Sequence, residues 1–365
     1  MAMTSRERML TALNNGRPDR LPCQVHGWME YYLRTYLGDM DWYHAFERFG
    51  MDYAIYVSPA WQFDPADQAK WVCDRRTDYE KRCWEETVTT PEGTLFHKGE
   101  WNDFTPWETE DLVKNERDFE LWDKYCPVPV SCDMSHMFAA RDRLGDKGII
   151  RCHPCNMAGQ GSPWQALCIL MGTEPAIMAA MDDPDFVHHA LDRILQKTLR
   201  TAELMQGVPA DMIETGGGAG SDTVISPRMF REFCLPYDKV QHKAFADLGL
   251  KIVYHLCGGV MHMLELVTEN GAHGLETMTP PSMGGNCDLR EASRLVGDKL
   301  FFIGGFDQNA GFEKGTPETA RKLVRECFEA TRDHAGYIIA PSDHFFFGDP
   351  ENLQAFADEA RKCVY

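Results

Sequence analysis

Long apolar runs are missing from this chain of 365 residues. None approaches the roughly eighteen consecutive apolar residues that cross a bilayer, which argues against a membrane span. The first ten residues carry Arg and Glu without the apolar centre of a secretory leader, so a cytoplasmic protein is expected. Basic charge is also scarce. With 37 Lys and Arg against 56 Asp and Glu the formal charge is -19, and such a surface repels nucleic-acid backbones and anionic membranes. There is no internal repeat and no low-complexity segment. The thirteen cysteines follow no small-domain disulfide spacing; their odd number and scatter suit reduced thiols and metal. Gly216-Gly217-Gly218-Ala219-Gly220-Ser221 lacks both a P-loop lysine and dinucleotide spacing, and is at most a weak phosphate cradle.

What is present is apolar content of 44%, enough to fill a sizeable core. Thr4 and Ser5 ahead of Glu7, with Met9, Leu10, Ala12 and Leu13 behind, predict a capped helix ended by Asn14-Asn15-Gly16. Residues 17–25 turn into a short strand, and 53–57 read as another. Residues 77–103 change character: 81–90 and 94–101 alternate charged with apolar residues around Pro91-Glu92-Gly93, which predicts a two-stranded hairpin inserted beside the main body. The charged stretch 108–122 reads as a solvated helix or loop. From about 148 onward short apolar strands (148–151, 211–213, 251–254, 274–276, 300–303 and 337–340) alternate with helical periodicity (185–205, 227–248, 261–270 and 317–334). That alternation predicts an α/β protein, a (β/α)8 TIM barrel spanning residues 1–365 as a single domain with an N-terminal helix and the hairpin insertion.

In such a barrel the chemistry gathers at the carboxyl ends of the strands. Ile252-Val253-Tyr254 delivers His255 and Cys257 just before Gly258-Gly259, and residues two apart on an extended chain face one point. An imidazole and a thiolate are donors that zinc prefers. Glu276 ends the next predicted strand and is a third candidate ligand, with Asp343 or His344 after the last strand as a fourth unless water or substrate completes the site. Glu214 and Asp307 also stand at strand ends. Cys152 and Cys155 form a rival pair, but no second Cys-x-x-Cys and no thioredoxin-like setting accompany it, so they read as buried thiols near the mouth. Phe345-Phe346-Phe347 suggests an apolar wall beside Asp343 and His344, although three aromatics in a row more often belong to a core.

Arg8-x-x-x-x-Leu13 with Arg17-Pro18-Asp19-Arg20-Leu21-Pro22, Ser226-Pro227-x-x-Phe230-x-x-Phe233-x-x-Pro236-Tyr237, His255-Leu256-Cys257-Gly258 and Gly304-Gly305-Phe306-Asp307 together resemble the uroporphyrinogen decarboxylase superfamily, in its cobalamin-dependent methyltransferase branch. The resemblance implies methyl transfer between a small molecule and a corrinoid carried on a partner protein, with Zn2+ at His255, Cys257, Glu276 and Asp343. Glu214, His344 and Asp307 are then the candidate catalytic residues. Two departures shape the expectation. The arginine-rich signature that holds porphyrinogen carboxylates is not recognisable, which disfavours decarboxylation. Relatives that methylate coenzyme M add a later cysteine near the last strand, where this chain has Pro341-Ser342-Asp343-His344. Nitrogen and oxygen donors leave zinc a harder Lewis acid, so O-demethylation of a methoxylated aromatic is favoured over a methylcobalamin:thiol reaction. The alternative from another class is a non-catalytic metal- or corrinoid-binding protein. The chain has no Asp-x-His-x-x-Gly cobalamin signature of its own.

Overall fold

The computed structural model describes residues 2–159, 161–333 and 336–365. His334, where the sequence ends its last long helical pattern, lies outside them, as does Met1 at the start of the leader reading. Seven parallel strands lie side by side in chain order: β1 (Tyr53–Tyr56), β2 (Gly148–Cys152), β3 (Met212–Gly216), β4 (Lys251–His255), β5 (Gly274–Thr277), β6 (Phe301–Phe306) and β7 (Tyr337–Pro341). The segment 22–24 closes the ring. Ile339 on β7 donates to Pro22 O and accepts from Gln24 N, both at 3.0 Å, while Asp52 beside β1 donates to Cys23 O at 2.8 Å. The result is a parallel eight-membered TIM barrel, wrapped by helices such as Pro184–Leu204, Leu235–Asp247, Pro317–Thr331 and Pro350–Ala360.

Alternation along the strands sorts side chains between the barrel interior and the helical layer. Ala54, Ile149, Met212, Val253, Phe301, Ile303, Ile338 and Ala340 form one interior cluster with Met9, Ala12 and Leu13 of the first helix. That helix, Ser5–Leu13, carries the expected capping box at Thr4 and Glu7 and plugs the barrel floor. It is pinned there by ion pairs from Arg6 to Asp211 (2.6 Å) and from Arg8 to Asp52 (2.8 Å). Gly274 has no side chain because Phe301 fills its place: a Cβ there would lie 2.2 Å from the Phe301 ring.

The insertion is larger than the sequence suggests. Cys83–Thr90 and Gly93–Trp101 pair as expected, but Val72–Asp78 and Pro106–Glu110 flank them in a four-stranded antiparallel sheet. The two flanking strands are almost wholly exposed and therefore carry no apolar alternation to read. The stretch expected to be solvated divides into Pro106–Glu110 and the helix Glu116–Tyr125, which buries Phe119, Leu121 and Trp122. No helix among the described residues is long and apolar enough to cross a membrane.

Candidate metal centre

Five neighbouring strands repeat one pattern. Two positions after an inward apolar residue or glycine, each presents a polar group: Tyr56 after Ala54, Arg151 after Ile149, Glu214 after Met212, His255 after Val253, and Glu276 after Gly274. The closing segment adds His26 just beyond Gln24. His255 and Glu276 stand opposite each other in the β4–β5 register.

Four of these groups converge. The ligand atoms of His26, Glu214, His255 and Glu276 all lie within 4.8 Å of one another, and all four residues are buried. His255 Nδ1 is 3.2 Å from Glu276 Oε1 and 3.5 Å from Glu214 Oε1. His26 is 3.7 Å from Glu276 and 3.9 Å from Glu214. Bonds of about 2.1 Å from a tetrahedral zinc put its donors roughly 3.4 Å apart. The spacing and the nitrogen and oxygen donor set therefore fit a divalent metal.

Arg151 is the cluster's own cation. Its Nη2 reaches Glu214 Oε2 at 2.7 Å and the two oxygens of Glu276 at 2.7 and 2.8 Å. Its Nε and Nη1 are buried without a hydrogen-bond partner among the described residues. Tyr56 packs its ring on the Arg151 guanidinium and donates its hydroxyl to Glu214 Oε2 at 2.5 Å. Burial favours the neutral carboxyls, but Arg151, His26 and His255 prevail, holding Glu276 well below the usual carboxylate range and Glu214 below it. Burial opposes charge on His255 as well, yet Cys257, Glu276 and Glu214 raise its pKa well above the ordinary imidazole value. The Tyr56 hydroxyl keeps its proton, pushed well up by burial and by the two carboxylates.

The other expected residues take different places. Cys257 adjoins the His255 imidazole but stands outside the four-donor group. Its Sγ occupies the space beside Gly218, where a Cβ would lie 2.8 Å away. His344 lies at the rim with its ring centroid 4.8 Å from that of His26; desolvation of its packed face and the nearness of His26 lower its pKa. Asp343 accepts from the His344 amide at 2.7 Å and is not among the four donors. Asp307 accepts from Ser282 (2.5 Å) and from the Ala310 amide (2.8 Å), starting the chain after β6. Cys152 is buried and Cys155 half-buried, their thiols pushed up to about 12 and about 11 by burial. Phe345 packs into the core against Trp28, Tyr32 and Phe312. Phe346 and Phe347 instead meet Phe104 of the insertion at the mouth.

His26, Arg151 and Tyr56 escaped the sequence reading. Arg151 left a signal, a charge at the end of the apolar Gly148-Ile149-Ile150. His26 follows a strand too short to announce its end.

The turn after β5 is unusual. Thr277 and Met278, directly behind Glu276, both take left-handed backbone, with φ of 70° and 52°, a costly choice for a β-branched residue. Thr277 is held by a hydrogen bond to Leu256 O at 3.2 Å. Gly304 makes room for it, since a Cβ there would lie 2.1 Å from Thr277 O.

A closed parallel barrel with buried carboxylates and imidazoles gathered at its strand ends defines a TIM-barrel protein with a metal-compatible mouth. The chain belongs to the uroporphyrinogen decarboxylase (URO-D) family, whose profile matches residues 155–363. It is 23% identical over 197 residues to the methylated-thiol–coenzyme M methyltransferase of Methanosarcina mazei, covering 53% of this chain and 50% of that protein. Over 157 residues it is 26% identical to the methylcobamide:CoM methyltransferase MtbA of Methanosarcina acetivorans, covering 43% of each. A uroporphyrinogen decarboxylase of Neisseria meningitidis is 28% identical over 187 residues, 48% of each chain. The chain thus spans about half the length of the curated relatives it matches. The solved structure of a methyltransferase from Methanosarcina mazei superposes with a TM-score of 0.68 at 16% identity, covering 99% of both chains, and shares the fold. The family match and the two coenzyme M methyltransferase matches fit the superfamily's methyltransferase branch, to which the sequence motifs pointed.

Proposed function

We propose that this protein is a zinc-dependent methyltransferase that moves a methyl group from a methoxylated aromatic to a corrinoid carried on a partner protein. The observation that carries the reading is the convergence of His26, Glu214, His255 and Glu276 at adjacent strand ends, in a chain whose relatives include methyltransferases named for methylcobamide and coenzyme M. His255 and Glu276 hold the metal, with His26 and Glu214 as the nearest further donors and Cys257 within reach of His255. Bound there, zinc supplies Lewis acidity toward an ether oxygen, which makes a phenolate a feasible leaving group.

The chain's own groups prepare that site. Arg151 leads in keeping Glu276 ionised, and His26 and His255 with Arg151 keep Glu214 so; both serve as donors, and Glu214 is a ligand or proton acceptor more readily than an acid. Tyr56 retains its proton on Glu214 and fixes the direction of that carboxylate. His344 stands next to His26 at the solvent edge, its pKa lowered to about 4, so it meets a departing oxygen as a neutral imidazole whose N–H donates a hydrogen bond. Phe104, Phe346 and Phe347 offer apolar surface at the same edge. The absence of a cysteine near Asp343 and His344 favours the demethylating direction, because oxygen and nitrogen donors leave the metal harder than a second thiolate would.

The purified protein is expected to bind one equivalent of zinc and to lose it in His255→Ala. Given a reduced corrinoid protein and a panel of methoxyaromatics, it is expected to convert Co(I) to methyl-Co(III), followed by absorbance. Thioether formation from methylcobalamin and a small thiol, with no methyl-cobalt from any methoxyaromatic, would instead assign the coenzyme M-like reaction. Full zinc occupancy in His255→Ala would remove the assigned ligand.

A further inference from the structure

The turn that leads Cys257 away from β4 is gripped by two side chains that belong to neither the donor cluster nor β4. Asp222, only 5% exposed at its side chain, lies in the loop after β3. It accepts from the His262 amide at 3.1 Å, from His262 Nδ1 at 2.8 Å, and from Asn286 Nδ2 at 3.0 and 2.9 Å. Its own amide donates to Gly259 O at 2.9 Å. Asn286, in the loop after β5, turns its Oδ1 the other way and accepts from the amides of Val260 (2.7 Å) and Met261 (3.1 Å). Three loops are thereby fastened at one point, with every donor and acceptor role of the Asn286 amide consistent.

Between the thiol and these bonds lie only Gly258 and Gly259. Two glycines carry large conformational freedom, and Gly258 uses it with φ of +116°. Neither tolerates a side chain. A Cβ on Gly259 would lie 1.5 Å from Asp222 Oδ1, and one on Gly258 would lie 2.5 Å from Thr223 Oγ1. Besides the grip, the two glycines have only long contacts from their amides to the Thr279 and Thr223 hydroxyls, each at 3.5 Å.

We infer that Asp222 and Asn286 are positioning residues, a clasp that sets where the Cys257 thiol stands relative to His255. Neither touches the four donors. They hold the 257–262 turn by the Gly259 carbonyl and by the amides of Val260, Met261 and His262. The inference deepens the metal reading above, but its first readout needs neither metal nor methyl transfer.

The test uses metal-free full-length protein and measures the iodoacetamide alkylation rate of Cys257 by peptide mass spectrometry, with buried Cys168 and Cys234 as internal references. Asn286→Asp sets two carboxylates against each other, and Asp222→Asn removes the charge and puts an amide nitrogen where Oδ1 accepted from Asn286. Each is expected to speed alkylation of Cys257 roughly tenfold, the scale of a lost charge-assisted hydrogen bond, while the references stay unchanged. The exchanged pair, Asp222→Asn with Asn286→Asp, recreates the complementary contact and is expected to return the rate to within about twofold of the parent. Zinc affinity, read by chelator competition, is expected to weaken in the single variants and recover in the pair. Should Asn286→Asp fail to fold, Asp222→Asn, which keeps an acceptor for the His262 amide, carries the comparison with the exchanged pair. Unchanged rates in the single variants would overturn the clasp, as would equal acceleration at the reference cysteines or an exchanged pair no better than its parts. A protein that passes the alkylation test yet binds no zinc would keep the clasp and lose the proposed function.

Discussion

The floor and the mouth of this barrel are built from the same strands, two residues apart. On β2, Ile149 belongs to the apolar floor under the first helix, while Arg151 is a fully buried cation between two glutamates. On β4, Val253 and His255 divide in the same way. Floor residues need only volume and apolarity, and interiors tolerate modest exchange of such groups. Mouth residues need partners, because a buried charge without one is strongly destabilising. The mouth is therefore interdependent where the floor is approximately additive.

The largest expected effect comes from breaking that interdependence. Arg151→Met leaves Glu214 and Glu276 facing each other without their shared cation, and should destabilise the metal-free protein by about 3–5 kcal/mol in a urea titration at neutral pH. Ile149→Val, on the same strand, should cost only about 0.5–1.5 kcal/mol and leave bound zinc unchanged, which elemental analysis would check. If the two variants cost the same, the distinction between floor and mouth fails. A third variant sharpens the comparison from outside the barrel. Asp238 is fully buried in the helical layer, and burial pushes its carboxyl up to about 7. Its folded value lies above its unfolded one, so the folded state holds a proton between about pH 4 and pH 7 and the associated stability is lost as pH rises through that window. Asp238→Asn should flatten this part of the melting-temperature profile relative to the parent and be the more stable protein above pH 7, without altering zinc content.

How far the sequence could be read follows the same division. The strands from β2 to β7 were legible because each is a short apolar run bounded by turn residues, and the approach of His255 to Glu276 followed from their places at the ends of successive strands. Glu214 was legible for the same reason. His26 was not: a short strand was read within 17–25, but its end could not be placed, since the segment 22–24 is held by only a few bonds to β7 and to Asp52. Arg151 was hidden by its role: a charge at the end of an apolar strand reads as a boundary unless its two partners, far away in the chain, are known. The flanking strands of the insertion were illegible because solvent covers them and imposes no pattern.

The left-handed pair Thr277 and Met278 carries a consequence for how this protein can change. Glycine would occupy that backbone with less strain, a relief on the order of 1 kcal/mol. It would also forfeit the Thr277 hydroxyl bond to Leu256 O and loosen the chain directly behind Glu276. Selection for heat resistance and selection for a well-aimed carboxylate thus pull this turn in opposite directions. Variants hardened there would be poor starting points for refining the aim of Glu276.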